Sequence, residues 1–156
     1  VGRTVGVALV VAAWFGASLI FSALVAPTAF AVLPSRAMAG AVLGPAFPVL
    51  FIGGLVAGLL AAVDGALSGG YWRLGAGIVM AISSGIAQFG ILPSIERVRA
   101  SIVGAVDALA PDDMRRQAFG RLHGISVACL GVAMLAALVV MIAAAVAAAR
   151  TSARSL

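Results

Sequence analysis

Apolar residues fall into four long runs, each separated from the next by a short cluster of Pro, Gly, Ser or charged residues. The runs extend from about residue 5 to 33, 40 to 65, 72 to 97 and 119 to 149. At about 1.5 Å per helical residue, roughly 20 residues cross the hydrocarbon core, so each run is long enough to span a bilayer with tilt. Most connections are short, which makes sequential spans antiparallel neighbours. The pattern predicts an all-α integral membrane protein. Residues 1–156 form a single transmembrane domain of four helices in an up-down bundle. The charged, amphipathic stretch 97–118 predicts a short interfacial helix between spans three and four. Within it, Pro111-Asp112-Asp113 reads as a turn followed by a helix N-terminus that carries favourable acids.

Composition supports lipid as the solvent. Hydrophobic residues make up 63% of the chain and charged residues 10%, against about half and a quarter in a soluble domain. All ten basic residues are arginine. With the wealth of Ala, Val and Gly, this suggests a GC-rich coding sequence and points to a bacterial inner membrane. The net charge of +5 does not call for nucleic acid, because the arginines sit at span ends where lipid headgroups meet them. A single cysteine, Cys129, excludes an internal disulfide and a cysteine-based zinc cluster. The first run is too long for the ~7–15-residue core of a cleavable signal peptide and is expected to remain as a helix.

Within the spans, a few residues break the apolar monotony. Trp14, Ser18 and Ser22 lie four apart on one face of span one. Pro27 should kink the last third of that span, with Thr28 placed to satisfy a freed carbonyl. Gly40/Gly44 and Gly54/Gly58 are small-xxx-small pairs that permit close helix approach. Pro45 and Pro48 fall in the first turns of span two, where proline costs least. Asp64 reads as an interfacial carboxylate near Arg73, and Tyr71-Trp72-Arg73 as an interfacial anchor. In span three, Ser84 and Gln88 precede a second late proline, Pro93, in a weak parallel echo of span one. Gln88 is read first as an interhelical hydrogen bond and second as a substrate contact. Gly120, Gly124, Ala128 and Gly131 make a small-residue stripe on span four, a packing seam for another span or another subunit.

The strongest inference is topological. The end of span one, the start of two, the end of three and the start of four share one side of the membrane. A candidate binding layer follows there: Pro27, Thr28, Phe47, Pro48, Gln88, Pro93, Arg121 and His123. Kinked helix ends beside polar groups are where membrane proteins hold ligands, although such kinks also arise for structural reasons alone. The same side carries Arg36, Arg97, Arg99, Arg115, Arg116 and Arg121, against Arg3, Arg73, Arg150 and Arg154 opposite. The loops between spans one and two and between three and four therefore lean cytoplasmic. His123 is the one candidate metal ligand. A lone interfacial histidine is first a packing residue, and no catalytic motif or cofactor fingerprint accompanies it.

The stretch Val25-Ala26-Pro27-Thr28-Ala29-Phe30, with Leu33-Pro34-Ser35-Arg36, Gly44 and Phe47-Pro48, resembles the signature of the transmembrane-protein-205-like family. A second matching patch is Phe119-Gly120-Arg121-Leu122-His123-Gly124-Ile125-Ser126, with Cys129 beyond it. A third runs from Gln88 to Pro93, where the family commonly has asparagine in place of Gln88. Val49 and Leu50 stand where the family often has an aromatic. The resemblance implies a four-span fold and no particular activity.

Two functional readings follow. The first is a non-enzymatic, transporter-like or accessory subunit, partnered by the bilayer and by copies of itself or other membrane subunits, with no cofactor. The alternative is a membrane redox protein that binds haem or copper through His123, with a methionine such as Met134 or Met141 or a partner's histidine.

Overall fold

The computed structural model describes residues 2–153, which are helical apart from short turns and the stretch 101–113 and contain no strand. Four helices are long and apolar enough to cross a membrane: α1 (Gly2–Val32), α2 (Arg36–Ser68), α3 (Tyr71–Ala100) and α4 (Met114–Ala153), whose apolar span is Met114–Arg150. In the bundle, α1 packs on α2 and α4, and α3 packs on α2 and α4. This is the all-α, four-span architecture that the hydrophobic runs predict. The core between the spans centres on Val11, Phe51, Met80 and Val140, each essentially inaccessible.

Local chemistry explains the span ends. Leu33 leaves α1 in an extended conformation, and Ser35 opens α2 by accepting the Met38 amide at 3.2 Å. Span two therefore starts at Arg36, earlier than the apolar run suggests. It breaks once at Gly44–Pro45 and resumes at Ala46. Gly69, at φ 68°, closes it in the left-handed conformation that glycine adopts without strain. The short helix expected between spans three and four is a single 3₁₀ turn, Val106–Ala108. Gly104 at φ 91° and extended residues at Ala105 and Leu109 flank this turn. The charged residues expected there are divided. Arg97 and Arg99 finish α3, and Arg115 and Arg116 begin α4.

Asp113 caps α4 as a carboxylate. It accepts the Arg115 amide at 2.8 Å, and the Arg115 guanidinium returns to it at 2.7 and 3.1 Å. These bonds hold the Asp113 carboxyl at about 2, below its ordinary 3.8.

The two late prolines have one structural consequence. In α1, Phe21–Val25 is a π-helical segment followed by Ala26-Pro27. In α3, Ile86–Ile91 is π-helical and is followed by Leu92-Pro93. In each, the residue before proline donates its amide five residues back, Ala26 to Phe21 and Leu92 to Ala87. A proline ring clashes with the carbonyl four residues before it, and a widened turn moves that carbonyl aside. Ser94 Oγ bonds the Gly90 carbonyl at 2.8 Å, whereas Thr28, expected to do the same in α1, makes no such bond among the described residues. The widened turn also alters the helical phase. Trp14 and Ser18 are buried as their spacing predicts, but Ser22, inside the π segment, is exposed.

The tightest contact in the bundle is between α2 and α3. A Cβ on Gly58 would lie 2.6 Å from the Ala81 amide nitrogen and 2.8 Å from the Gly77 carbonyl oxygen. A Cβ on Gly77 would lie 2.4 Å from the Ala62 nitrogen, and one on Gly65 2.3 Å from the Leu74 nitrogen. Gly54 faces Ser84 and the Trp14 ring instead. Because these neighbours are mostly backbone, a methyl group there forces the helices apart.

Two outcomes follow. Gly58→Ala or Gly77→Ala should destabilise the folded chain by about 1–3 kcal/mol through overpacking, read as a lower thermal midpoint in detergent. Gly75→Ala, on an open face, should stay within about 0.5 kcal/mol of wild type. Separately, folding depresses the Asp113 pKa, so its stabilising contribution is complete above about pH 3.8 and is lost as pH falls through about 2. The carboxyl carbon resonance of Asp113 should titrate near the lower value, and in Arg115→Ala its midpoint should rise towards 3.8.

Candidate functional site

An aromatic ladder joins the four spans on the side where Pro27, Arg36 and Pro93 lie. Phe21 of α1 meets Phe47 of α2 edge-on at 5.4 Å between ring centres. Phe47 lies 6.2 Å from Phe51 below it and 6.4 Å, edge-on, from His123 of α4. The His123 ring is parallel to that of Phe119, one turn earlier on the same helix, at 6.3 Å. The Arg99 guanidinium of α3 sits 5.9 Å from the centre of Phe119, a cation–π contact. Phe47 and Pro48 are half-buried and His123 is exposed, so the ladder opens to its surroundings at the histidine.

The other members of the predicted layer are distributed differently. Pro27, Thr28 and Pro93 are exposed on the outer surfaces of α1 and α3. Arg121 is also exposed, since it is two residues from both Phe119 and His123 and so points to another side of the helix. Gln88 does face inwards. The interhelical hydrogen bond expected of it is not made by its carbonyl, because Oε1 is buried without a partner. Ser18 Oγ and Ser84 Oγ share that condition. Of the glycines singled out for packing, Gly54 and Gly58 are buried in the α2–α3 seam. Gly120, Gly124 and Gly131 have open space where a side chain would be. Beside the ladder, an apolar groove of about 400 Å³ between α1 and α2 is lined by residues that include Ile20, Phe21, Val25, Val49 and Leu50.

A family model described as a domain of unknown function, DUF4149, matches residues 9–103. The chain belongs to the DUF4149 family. Comparison with curated proteins and with solved structures gives no match. The DUF4149 match takes in most of α1 and all of α2 and α3, and it ends before α4. Pro27, Thr28, Phe47, Pro48, Gln88 and Pro93 therefore lie inside it, while Arg121 and His123 lie outside.

Among the described residues, His123 is not part of a donor cluster that would support the haem or copper reading within one protomer. No group of three His, Cys, Asp or Glu side chains that could hold a metal ion occurs among the described residues. The rings against His123 are phenylalanines, and Met134 and Met141 pack on the hydrophobic core.

At the opposite end of the bundle is a polar cluster that sequence reasoning found only in part. Asp64, 2% exposed, accepts Arg73 at 2.9 Å and Arg3 Nε at 2.9 Å, with Thr4 Oγ1 at 3.2 Å. Arg73 also donates to Ser68 Oγ at 2.6 Å, and Ser68 bonds back to the Asp64 carbonyl. The Asp64–Arg73 proximity was legible from the α2–α3 turn. The part played by Arg3 and Thr4 was not, because sequence spacing carries no information on how α1 docks. Removing one partner of a buried pair strands the other, so Asp64→Asn should cost about 3–5 kcal/mol. Arg3 is 56% exposed at its side chain, so Arg3→Ala should cost at most about 1 kcal/mol. Thermal unfolding of the two variants in one detergent compares them directly.

Proposed function

We propose that the protein is a non-enzymatic, transporter-like or accessory subunit that works in a membrane assembly, with a second copy of itself as its first partner. The outer face of α4 carries this reading. Gly120, Gly124, Ala128 and Gly131 are all exposed, and a Cβ at any of the three glycines would touch nothing among the described residues. Small residues in membrane helices serve close helix approach. Between α2 and α3 this chain uses glycines in that way, while on α4 the equivalent surface has no partner among the described residues. The resemblance of the Ala-Pro-Thr, Phe-Pro and Gly-Arg-Leu-His patches to the transmembrane-protein-205-like family is consistent with a small four-span membrane protein.

The same reading places the protein in a bacterial inner membrane, with the α1–α2 and α3–α4 loops on the cytoplasmic side. The arginine excess near those loops supports this orientation.

Native mass spectrometry of the chain released from nanodiscs, over a range of protein-to-lipid ratios, tests the association. The expected result is a dimer or higher oligomer that Gly124→Leu dissociates and that Gly75→Leu, on an exposed face of α3, leaves intact. A wild-type chain that stays monomeric at every ratio and carries no other subunit would remove the basis of the proposal.

A further inference from the structure

We propose that the bundle encloses an ordered water cluster at the level of Ser18 and Gln88, one helical turn below the Phe47–His123 contact. The level follows from contacts already described. A Cβ on Gly54 would meet Ser84 Oγ at 2.5 Å and the Trp14 ring at 2.8 Å, so Trp14 and Ser84 share one height in the bundle. Ser18 and Gln88 lie four residues further along α1 and α3, which run in the same direction. They therefore share the next height; Ser18 continues the face that carries Trp14, and the buried Oε1 of Gln88 shows that the π-helical segment turns this side chain inwards as well.

On α4, His123 touches Phe47 and the Cys129 carbonyl accepts Ser83 Oγ at 2.8 Å. Ser126 falls between these contacts. It is 2% exposed, with its hydroxyl donating to the His123 carbonyl at 2.8 Å. Three spans thus contribute polar side chains to one tier inside an otherwise apolar core.

Ser18 and Ser84 are wholly buried, and their hydroxyls, with Gln88 Oε1, have no hydrogen-bond partner among the described residues. A buried polar atom without a partner costs about 1–3 kcal/mol, and water bridging two or more such atoms is the usual remedy in protein interiors. The donor and acceptor inventory specifies the occupant. Gln88 Oε1 only accepts, so the occupant must donate; the serine hydroxyls can do either. No carboxylate or guanidinium is among these atoms, so the tier carries no charge to attract an ion. Neutral water fits all three. The π-helical segment Ile86–Ile91 contains Gln88 and shifts its phase relative to a regular helix, a geometry common at functional sites in helices.

The test uses the full chain in lipid bilayers and water-to-protein magnetisation transfer in solid-state NMR. The side-chain amide of Gln88 is one of two in the protein, the other being that of the exposed Gln117. Transfer to the Ser84 side chain should be faster than to Met80 and Ala87, which are equally deep and apolar, and transfer to the half-buried Gln88 amide should be faster too. In Ser18→Ala, transfer to Gln88 should slow, because the two would share solvent. Equal build-up at Gln88, Ser84, Met80 and Ala87 would show a dry core and overturn the proposal. So would transfer arriving from lipid chains in place of water. A second measurement does not depend on spectral assignment. With shared water, Ser18→Ala and Ser84→Ala lower the thermal midpoint and their effects are non-additive. If the hydroxyls are dry, each substitution raises the midpoint and the two effects add.

Discussion

The bundle depends on the backbone contact between α2 and α3, where side chains are missing by design of the sequence. In a bilayer, two apolar helix faces gain little by hiding from lipid, which is as apolar as they are. Cohesion must come from close van der Waals contact and from hydrogen bonds. At Gly58, Gly65 and Gly77 the helices approach until the main chain of one meets the main chain of the other. The remaining spans are laid on this hairpin. Trp14 of α1 covers Gly53 and Gly54 and donates its indole N–H to the Leu50 carbonyl at 2.7 Å. The contact between Ser83 Oγ and the Cys129 carbonyl ties α4 to α3.

The two ends of the bundle are held by different physics. At the Asp64 end, a carboxylate and two guanidiniums fix α1, α2 and α3 together through directed bonds. At the other end, rings take over: Phe21, Phe47, His123, Phe119 and Arg99 connect all four spans through contacts of 5.4–6.4 Å. Ring contacts tolerate sliding more readily than a bonded ion pair does. The π segments and the Gly44–Pro45 break lie in this half of the bundle as well, as do the apolar groove and the exposed histidine. The half with softer cohesion is thus the half that carries the helix breaks, the groove and the exposed histidine. The DUF4149 match covers the three spans that build most of it, and α4 supplies the histidine from outside the matched region.

A single family of residues serves two purposes in this chain. Glycine between α2 and α3 shortens the distance between two helices of one protomer. Glycine on the outer face of α4 presents the same kind of surface with none of the described residues against it. The polar residues divide in the same manner. Asp64, Arg73 and Ser68 satisfy one another, while Ser18 Oγ, Ser84 Oγ and Gln88 Oε1 have no partner among the described residues to do so.

The amino-acid sequence by itself determined the solvent, the number of spans and their alternation, because those depend on the length of apolar runs and the shortness of loops. It also located the Gly54–Gly58 seam, the turn that brings Asp64 to Arg73, and the side of the membrane where Phe47 meets His123. Only the tertiary structure decided which members of the predicted layer face inwards. Pro27, Thr28, Pro93 and Arg121 share a height with the ladder but not a direction, because direction depends on helical phase. In α1 and α3 each π turn resets that phase by an amount that an ideal helical repeat cannot anticipate, while Arg121 lies on a regular helix, two residues from both Phe119 and His123. The reach of Arg3 to Asp64, the open face of α4 and the orphaned oxygens of Ser18, Ser84 and Gln88 were decided there too. Each is a property of how helices distant in sequence are set against one another, and no local pattern encodes that.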